Sequence, residues 1–426
     1  MSFNEDFLHF VWKYRLFTQK SLLTCNGEAV EVIAPGMHNS HAGADFEHAK
    51  IKINGTLWAG NVEIHVKSSD WEKHYHSIDK AYDNVILHVV YENDATIFRS
   101  DKTEIPTLVL KNHLNAGIEH SYSELMKNIS WIPCEKLLPD IEGIHLENWL
   151  SRVLIERLEE KSASVLSLLE EFKGSWDDTF YVLLARNFGF KTNSVPFELL
   201  AKSLPQQILA KHKNNALQIE ALIFGQAGFL QRPEDEYMQT LQMEYRFLQG
   251  KYSLHPIEHH LWKFLRLRPQ NFPTMRLAQF AALILKSSHL FSKIIEVKNP
   301  KNIAELFENL PVNLYWKTHY RFGKKTDKAA CQPGDATIHN ILLNSVVIAL
   351  FSYGKYTGNQ HLTDRALELL DGLPAETNQI IGRFKDAGIE PGNAARSQAL
   401  LQLKKNYCDK KNCLNCAVGA KIIKVA

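Results

Sequence analysis

The chain has 426 residues, of which 45% are apolar and 23% charged. At ~150 residues per domain that length allows two or three domains, and the composition excludes a disordered or fibrous chain. A formal net charge of +2 excludes a global pull toward nucleic acid, so any such affinity must come from local patches. In chain order, Phe3, Phe7, Phe10, Tyr14 and Phe17 recur every three or four residues, which predicts an amphipathic helix over 3–17. Its early acids and lack of an uninterrupted apolar core are unlike a signal peptide. Short extended segments follow at 29–33, 49–53 and 57–66. Asn54-Gly55 lies between the last two, and both residues tolerate the positive φ of a tight hairpin. Residues 78–84 read as helical. Val85–Tyr91 (VILHVVY) is β-branched and apolar on both faces, as in a covered central strand. Pro106 and the 108–110 run close this region.

Breakers then accumulate over 112–143, with Trp131-Ile132-Pro133-Cys134 and Pro139. From about Ile144 the apolar period changes from two to 3.6. Helices are expected near 145–172, 176–188, 214–230, 234–249, 274–288, 338–353, 361–371, 376–387 and 393–406. Asp177-Asp178 and Pro233-Glu234-Asp235 read as starts and Gly388 as a stop. No repeat of fixed period is present. The longest apolar run, near 341–351, is broken by Asn344 and Ser345 and falls short of the ~20 residues that span a bilayer. Cytoplasmic residence without membrane association is the expectation. The expected fold class is an α/β N-terminal domain over 1–125, a small mixed sheet flanked by helices, then a junction over 126–143 and an all-α region over 144–426.

The chemistry concentrates in HAGADFEHAKIKINGTLWAGNVEIHVKSSDW, which begins at His41. Asp45 sits at the mouth of the hairpin. The return strand carries Glu63, His65 and Lys67 at every second position, so a strand would place all three on one face. Two carboxylates can hold Mg²⁺ or Mn²⁺, an imidazole can ligate metal or take a proton near neutral pH, and an ammonium can stabilise a developing phosphorane charge. His74-x-His76 with Asp79 follows as a second candidate metal set, one that suits Mn, Zn or Fe better than Mg. His38, His41, His48, His65, His74, His76 and His88 crowd this window out of 19 histidines in the chain. His88 lies in an otherwise apolar strand, where an imidazole needs a partner. The competing reading is an ordinary solvated strand face, with Asp45 in a turn and a polar loop behind it.

The Asp45…Glu63-Ile-His65-Val-Lys67-Ser-Ser pattern on a helix–strand–hairpin–helix–strand order resembles the PD-(D/E)xK nuclease superfamily. That resemblance implies a restriction-endonuclease-like fold for about residues 1–110, with Asp45 and Glu63 as ligands of a catalytic Mg or Mn. His65 stands at the position where the superfamily has Lys, and Lys67 comes two residues later on the same face. The whole chain also looks like a bacterial family of uncharacterised proteins, through the phrases GNVEIHVKSSDW, AYDNVILHVVY, LPAETN and YCDKKNCLNC.

Six cysteines in so long a chain do not make a disulfide scaffold. Cys408, Cys413 and Cys416 form a C-x4-C-x2-C cluster that can converge on one tetrahedral centre. A zinc ion or an iron–sulfur cluster is the expected occupant. Cys25, Cys134, Cys331 or a histidine would supply the fourth ligand. Basic residues interleave with rings over 314–325 (LYWKTHYRFGKK) and gather at Lys263, Arg266, Arg268 and Arg276 and along 404–426. Such groups bind polynucleotides or simply solvate helix faces. The expected function is a metal-dependent phosphodiester hydrolase acting on DNA or RNA. The rival is a non-catalytic nucleic-acid- or protein-binding scaffold with a structural metal.

Overall fold

A computed structural model of the chain describes residues 4–39, 41–140, 143–297 and 300–425. Phe3 lies outside them. The chain divides into two compact units. One comprises Met1–Leu150, Arg383–Ile389 and Leu401–Ala426, and the other Ser151–Gly382 and Glu390–Leu400.

The first unit holds a mixed sheet. Its opening helix, α1 (Glu5–Lys13), is capped by the Asn4 side chain, which accepts the Phe7 amide at 3.2 Å, and buries Phe7, Leu8, Phe10, Val11 and Trp12. Then come β1 (Leu22–Leu23), β2 (Ala29–Ala34), β3 (Met37–His38), β4 (Phe46–Ile53), β5 (Thr56–Lys67), α2 (Asp70–Lys73), β6 (Val85–Glu92), β7 (Thr107–Val109) and α3 (Ala116–Lys127). The sheet order is β1-β2-β4-β5-β6-β7, with β3 paired to β4. The β2–β4 and β4–β5 pairs are antiparallel, while β5–β6 and β6–β7 are parallel. Asn54 and Gly55 turn the β4–β5 hairpin with φ of 46° and 82°, the left-handed pair that such a turn requires. β6 is buried from Val85 to Val90, as its two apolar faces demand. Gly60 allows β5 to approach β6. A Cβ there would lie 2.4 Å from Ile86 Cγ2 and 2.7 Å from the Asn84 carbonyl oxygen.

The helix expected over 78–84 is instead two short 3₁₀ turns, His76–Ile78 and Lys80–Tyr82. Tyr75 enters the first with a left-handed φ of 61°, which interrupts a continuous helix. Trp71 anchors this segment. It is buried with Ala44, Val85, Ile97 and Ile105, and its indole donates to the Phe98 carbonyl at 3.1 Å.

The second unit is helical. Ser175 caps Trp176–Phe188 by accepting the Asp178 amide, with Asp177 and Asp178 in the first turn. Asp235 caps Glu236–Tyr252 through the Met238 amide at 2.8 Å. Phe190–Ser203, a helix outside those expected from sequence, carries Pro196 in its interior. It kinks at Asn193, whose side chain brackets Lys263, accepting its amide at 2.8 Å and donating to its carbonyl at 2.9 Å. The apolar run that Asn344 and Ser345 seemed to break continues through a π-turn at Leu342–Val346, where Asn344 Nδ2 bonds back to the Asn340 carbonyl at 3.2 Å. Asp335–Thr357 is therefore long and apolar enough to cross a membrane, and 72% of its most apolar window is buried within the protein.

Residues 401–426, read from sequence as the end of the helical region, group with the sheet unit instead. They add a final helix, Ala417–Val425, that apolar periodicity did not single out.

Candidate metal centre

β5 carries Glu63 and His65 into the interior, where they are 4% and 1% exposed. A reciprocal clamp fixes the carboxylate. Glu63 Oε2 accepts the Asp45 amide at 3.0 Å, and Asp45 Oδ2 accepts the Ile64 amide at 2.9 Å. Asp45, just before β4, is thus tied to the third strand of the hairpin system by its main chain and its side chain. The other oxygen, Glu63 Oε1, lies 3.2 Å from His76 Nε2 and 3.6 Å from His65 Nε2. His65 Nε2 in turn lies 3.1 Å from His74 Nδ1. The ligand atoms of His65, His74 and His76 all fall within 4.8 Å of one another.

These spacings have a simple chemical meaning. A tetrahedral ion with ~2.0–2.1 Å bonds to imidazole nitrogen and carboxylate oxygen has ligand–ligand edges of about 3.3 Å. The separations of 3.1, 3.2 and 3.6 Å straddle that length. The ring orientations are held from behind. His65 Nδ1 meets His88 Nε2 at 2.9 Å, which leaves Nε2 to face the cluster. His76 stacks on Tyr82 with ring centroids 3.7 Å apart and meets Trp71 edge-on at 5.3 Å. His74, at the end of α2, is the exposed member.

Electrostatics fit neutral imidazoles. Burial first, then the neighbouring His88, His74 and His76, push the His65 pKa down to about 3. Burial does the same to His88, with His76 adding to it, again to about 3. Burial pushes Glu63 up in spite of its bonds to His76 and the Asp45 amide. Burial also works against the Asp45 carboxylate, but His9 and the Ile64 amide hold it below its ordinary range. His9 is placed by α1, with Nε2 3.1 Å from Asp45 Oδ2. Burial alone would lower its pKa, and the Asp45 carboxylate raises it overall. Glu5, one helical turn earlier, is raised by burial and interacts with His74, Asp45 and His9.

Several residues singled out from sequence stand apart. Lys67 is exposed at the end of β5, and its charge acts on Asp94. Asp94 is gripped by Ser68 Oγ at 3.1 Å and by the Ser69 amide and hydroxyl at 2.9 Å each, so the two serines tie the end of β5 to the end of β6. Asp79 is exposed and accepts the Ala81 amide at 2.9 Å, capping a 3₁₀ turn rather than joining His74 and His76. In the 314–325 stretch, Trp316 is fully buried and Phe322 is 6% exposed. Those rings pack on Phe224 and on each other. Arg321 lies over Phe264 and Phe272 at 4.3 and 4.4 Å. Arg276 is buried and donates to Gln279 and Asn271. This basic–aromatic interleaving builds a core and leaves few rings free to stack on bases.

His9 and Glu5 escaped the sequence reading, although they sit four apart on one face of α1, the spacing at which helical side chains meet.

Residues 5–379 match the model of a family described as a protein of unknown function, DUF2851. The chain belongs to that family. No curated protein and no solved structure matches it. The span matched to DUF2851 takes in the whole histidine–carboxylate cluster and ends before Cys408, Cys413 and Cys416.

Proposed function

We propose that the sheet unit is a metal-dependent phosphodiester hydrolase acting on nucleic acid, with its ion held by Glu63 Oε1, His65 Nε2, His74 Nδ1 and His76 Nε2. One observation carries this reading: His65, His74 and His76 offer ligand atoms within 4.8 Å of one another, and Glu63 Oε1 lies 3.2 Å from His76 Nε2 and 3.6 Å from His65 Nε2. Three imidazoles and a carboxylate select Mn²⁺, Zn²⁺ or Fe²⁺ over Mg²⁺, which prefers an octahedron of oxygens. A bound ion of this kind polarises a phosphoryl oxygen and brings the pKa of bound water to ~7.

The protein's own groups do the rest. His88 fixes the tautomer of His65. The Asp45 amide orients Glu63. The Asp45–His9 pair, next to the carboxylate clamp, can take and hold a proton. The nucleic-acid class of substrate is supported by element order. α1, β2, β4, β5, α2 and β6 follow the helix–strand–hairpin–helix–strand sequence, with two antiparallel pairs and then a parallel one. Asp45 precedes the second of those strands and Glu63 lies on the third, the arrangement on which the PD-(D/E)xK likeness rests.

A second reading has its own observation. Four protein donors close a tetrahedron, as in structural sites, whereas catalytic sites keep a position open. The test separates the two. Protein stripped with EDTA is reloaded with Mn²⁺, Zn²⁺ or Mg²⁺ and given supercoiled plasmid and labelled RNA. Hydrolysis with Mn²⁺ or Zn²⁺ that vanishes in EDTA and in Glu63→Gln is the expected result. Stoichiometric metal without cleavage of either polymer would establish the structural role.

A further inference from the structure

The C-terminal cysteines are brought to the fourth by the packing of their own segment. Cys408 closes the π-turn Lys404–Cys408. Cys413 and Cys416 bracket the turn that enters Ala417–Val425, with the Cys416 amide on the Cys413 carbonyl at 3.3 Å. Gly419 lets that helix start against Cys413, since a Cβ there would lie 2.4 Å from the Cys413 carbonyl oxygen. Cys134 ends a loop held by Asn128, whose side chain donates to the Pro133 carbonyl at 2.8 Å. Three contacts dock the two segments. Lys411 Nζ donates to the Met126 carbonyl, Lys404 Nζ lies 5.2 Å from the Trp131 ring, and Trp149 meets Tyr407 edge-on at 5.1 Å.

The four thiols consequently share one neighbourhood. Cys408 interacts with Cys416, Cys134 and Cys413. Cys134 interacts with Cys416 and Cys413, and Cys413 with Cys416. All six pairings are therefore close enough to repel when ionised. Cys134, Cys413 and Cys416 are buried, and Cys408 is half-buried. Cys25 is exposed, and Cys331 belongs to the helical unit, so neither competes for the fourth place.

Inert core thiols would explain burial but not the donors aimed at them. The amides of Gly419 and Val418, in the first turn of the final helix, both lie against the Cys416 sulfur. A neutral thiol is a weak acceptor; two amide donors on one sulfur are the surroundings of a metal-bound thiolate. Lys404, whose charge reaches Cys408, is already paired with Asp409.

We propose that Cys134, Cys408, Cys413 and Cys416 ligate a thiolate-bound metal centre that pins residues 401–425 to the loop before the long helix Gly143–Glu171. Four thiolates suit either of two centres. One zinc ion with ~2.3 Å bonds needs sulfur–sulfur edges of about 3.8 Å, and an iron–sulfur cluster spreads its four cysteines over more than one iron.

The test is metal analysis, acid-labile sulfide and a visible spectrum of anaerobically purified full-length protein. Bound metal is expected, lost in Cys134→Ser and retained in Cys25→Ser and Cys331→Ser; iron with sulfide in a brown sample identifies a cluster, and zinc in a colourless one a single ion. Because Cys134→Ser can fail to fold, thiol labelling of the native protein provides a second readout. Four thiols should resist labelling until the centre is removed, while Cys25 reacts at once. Metal-free protein whose four thiols label freely after chelator-free purification, or metal content unchanged in Cys134→Ser, would overturn the proposal. Glu63→Gln should leave this centre intact, so the outcome is independent of the hydrolase reading.

Discussion

The sheet unit gathers two sets of side chains of metal-ligating type, and they are built in opposite ways. Glu63, His65, His74 and His76 come from one strand and the turns right after it, with three donor pairs already 3.1–3.6 Å apart. Main-chain bonds to Asp45 and Ile64 hold the carboxylates in place. The cysteine cluster joins residue 134 to 408–416, softer donors from distant parts of the chain. Ordering that loop of roughly 270 residues costs on the order of 5 kcal/mol. A preorganised site is suited to chemistry, because geometry is fixed before the ion arrives. A site that must be gathered returns its binding energy to folding. Loss of the first should therefore remove activity, and loss of the second should remove stability.

The largest expected effect is on cleavage. Glu63→Gln should reduce metal-dependent hydrolysis by at least ~100-fold while leaving the melting temperature close to that of the unmodified protein, as measured by plasmid nicking and calorimetry together. Next, stripping the thiolate centre should lower stability by about 3 kcal/mol or more, the linkage expected when a ligand is present at 100 or more times its dissociation constant. Denaturant unfolding of loaded and stripped protein measures this. If stripping left stability unchanged, the contrast between the two clusters would collapse.

Gly60→Ala should cost about 2 kcal/mol, because Ile86 and the Asn84 carbonyl leave no room for a methyl group. Its effect should appear in the unfolding midpoint without any change in iron or zinc content. His88→Gln should weaken metal affinity at the histidine site by ~10-fold, the scale of losing a partner that orients a ligand. Titration calorimetry with Mn²⁺ or Zn²⁺ reads it. The smallest effect belongs to Lys67→Ala. An exposed charge contributes under ~1 kcal/mol, so cleavage should fall less than about fivefold. A larger drop would move Lys67 into the reacting site.

Much of the histidine site was legible because its parts are close in sequence. Period-two spacing in NVEIHVK brings Glu63 and His65 to one side, and His74-x-His76 stood out by ligand type. Lys67 shares that periodicity but emerges at the strand end, where the sheet stops covering it. Asp79 shares the neighbourhood but serves a turn. His9 and Glu5 were hidden because α1 reads first as a core helix, and only its packing shows where the polar face goes. The rings at 314–325 misled for a related reason: composition cannot separate a stacking platform from an aromatic core, and Trp316 is wholly buried. The helix Phe190–Ser203 was concealed by Pro196, which the Asn193 kink accommodates.

Spacing within a few residues determined the covered strand Val85–Glu92, the Asn54-Gly55 hairpin, the Glu63–His65 pair and the triplet of C-terminal thiols, because side-chain direction over such distances follows from backbone geometry alone. Which groups meet across the chain was decided by tertiary structure. Parallel pairing of β5 with β6 sets Glu63 beside His88, α1 delivers His9 to Asp45, and docking of the C-terminal segment brings Cys134, rather than Cys25 or Cys331, near the C-terminal thiols. Those encounters close long loops, and only the burial of a whole core makes that closure favourable.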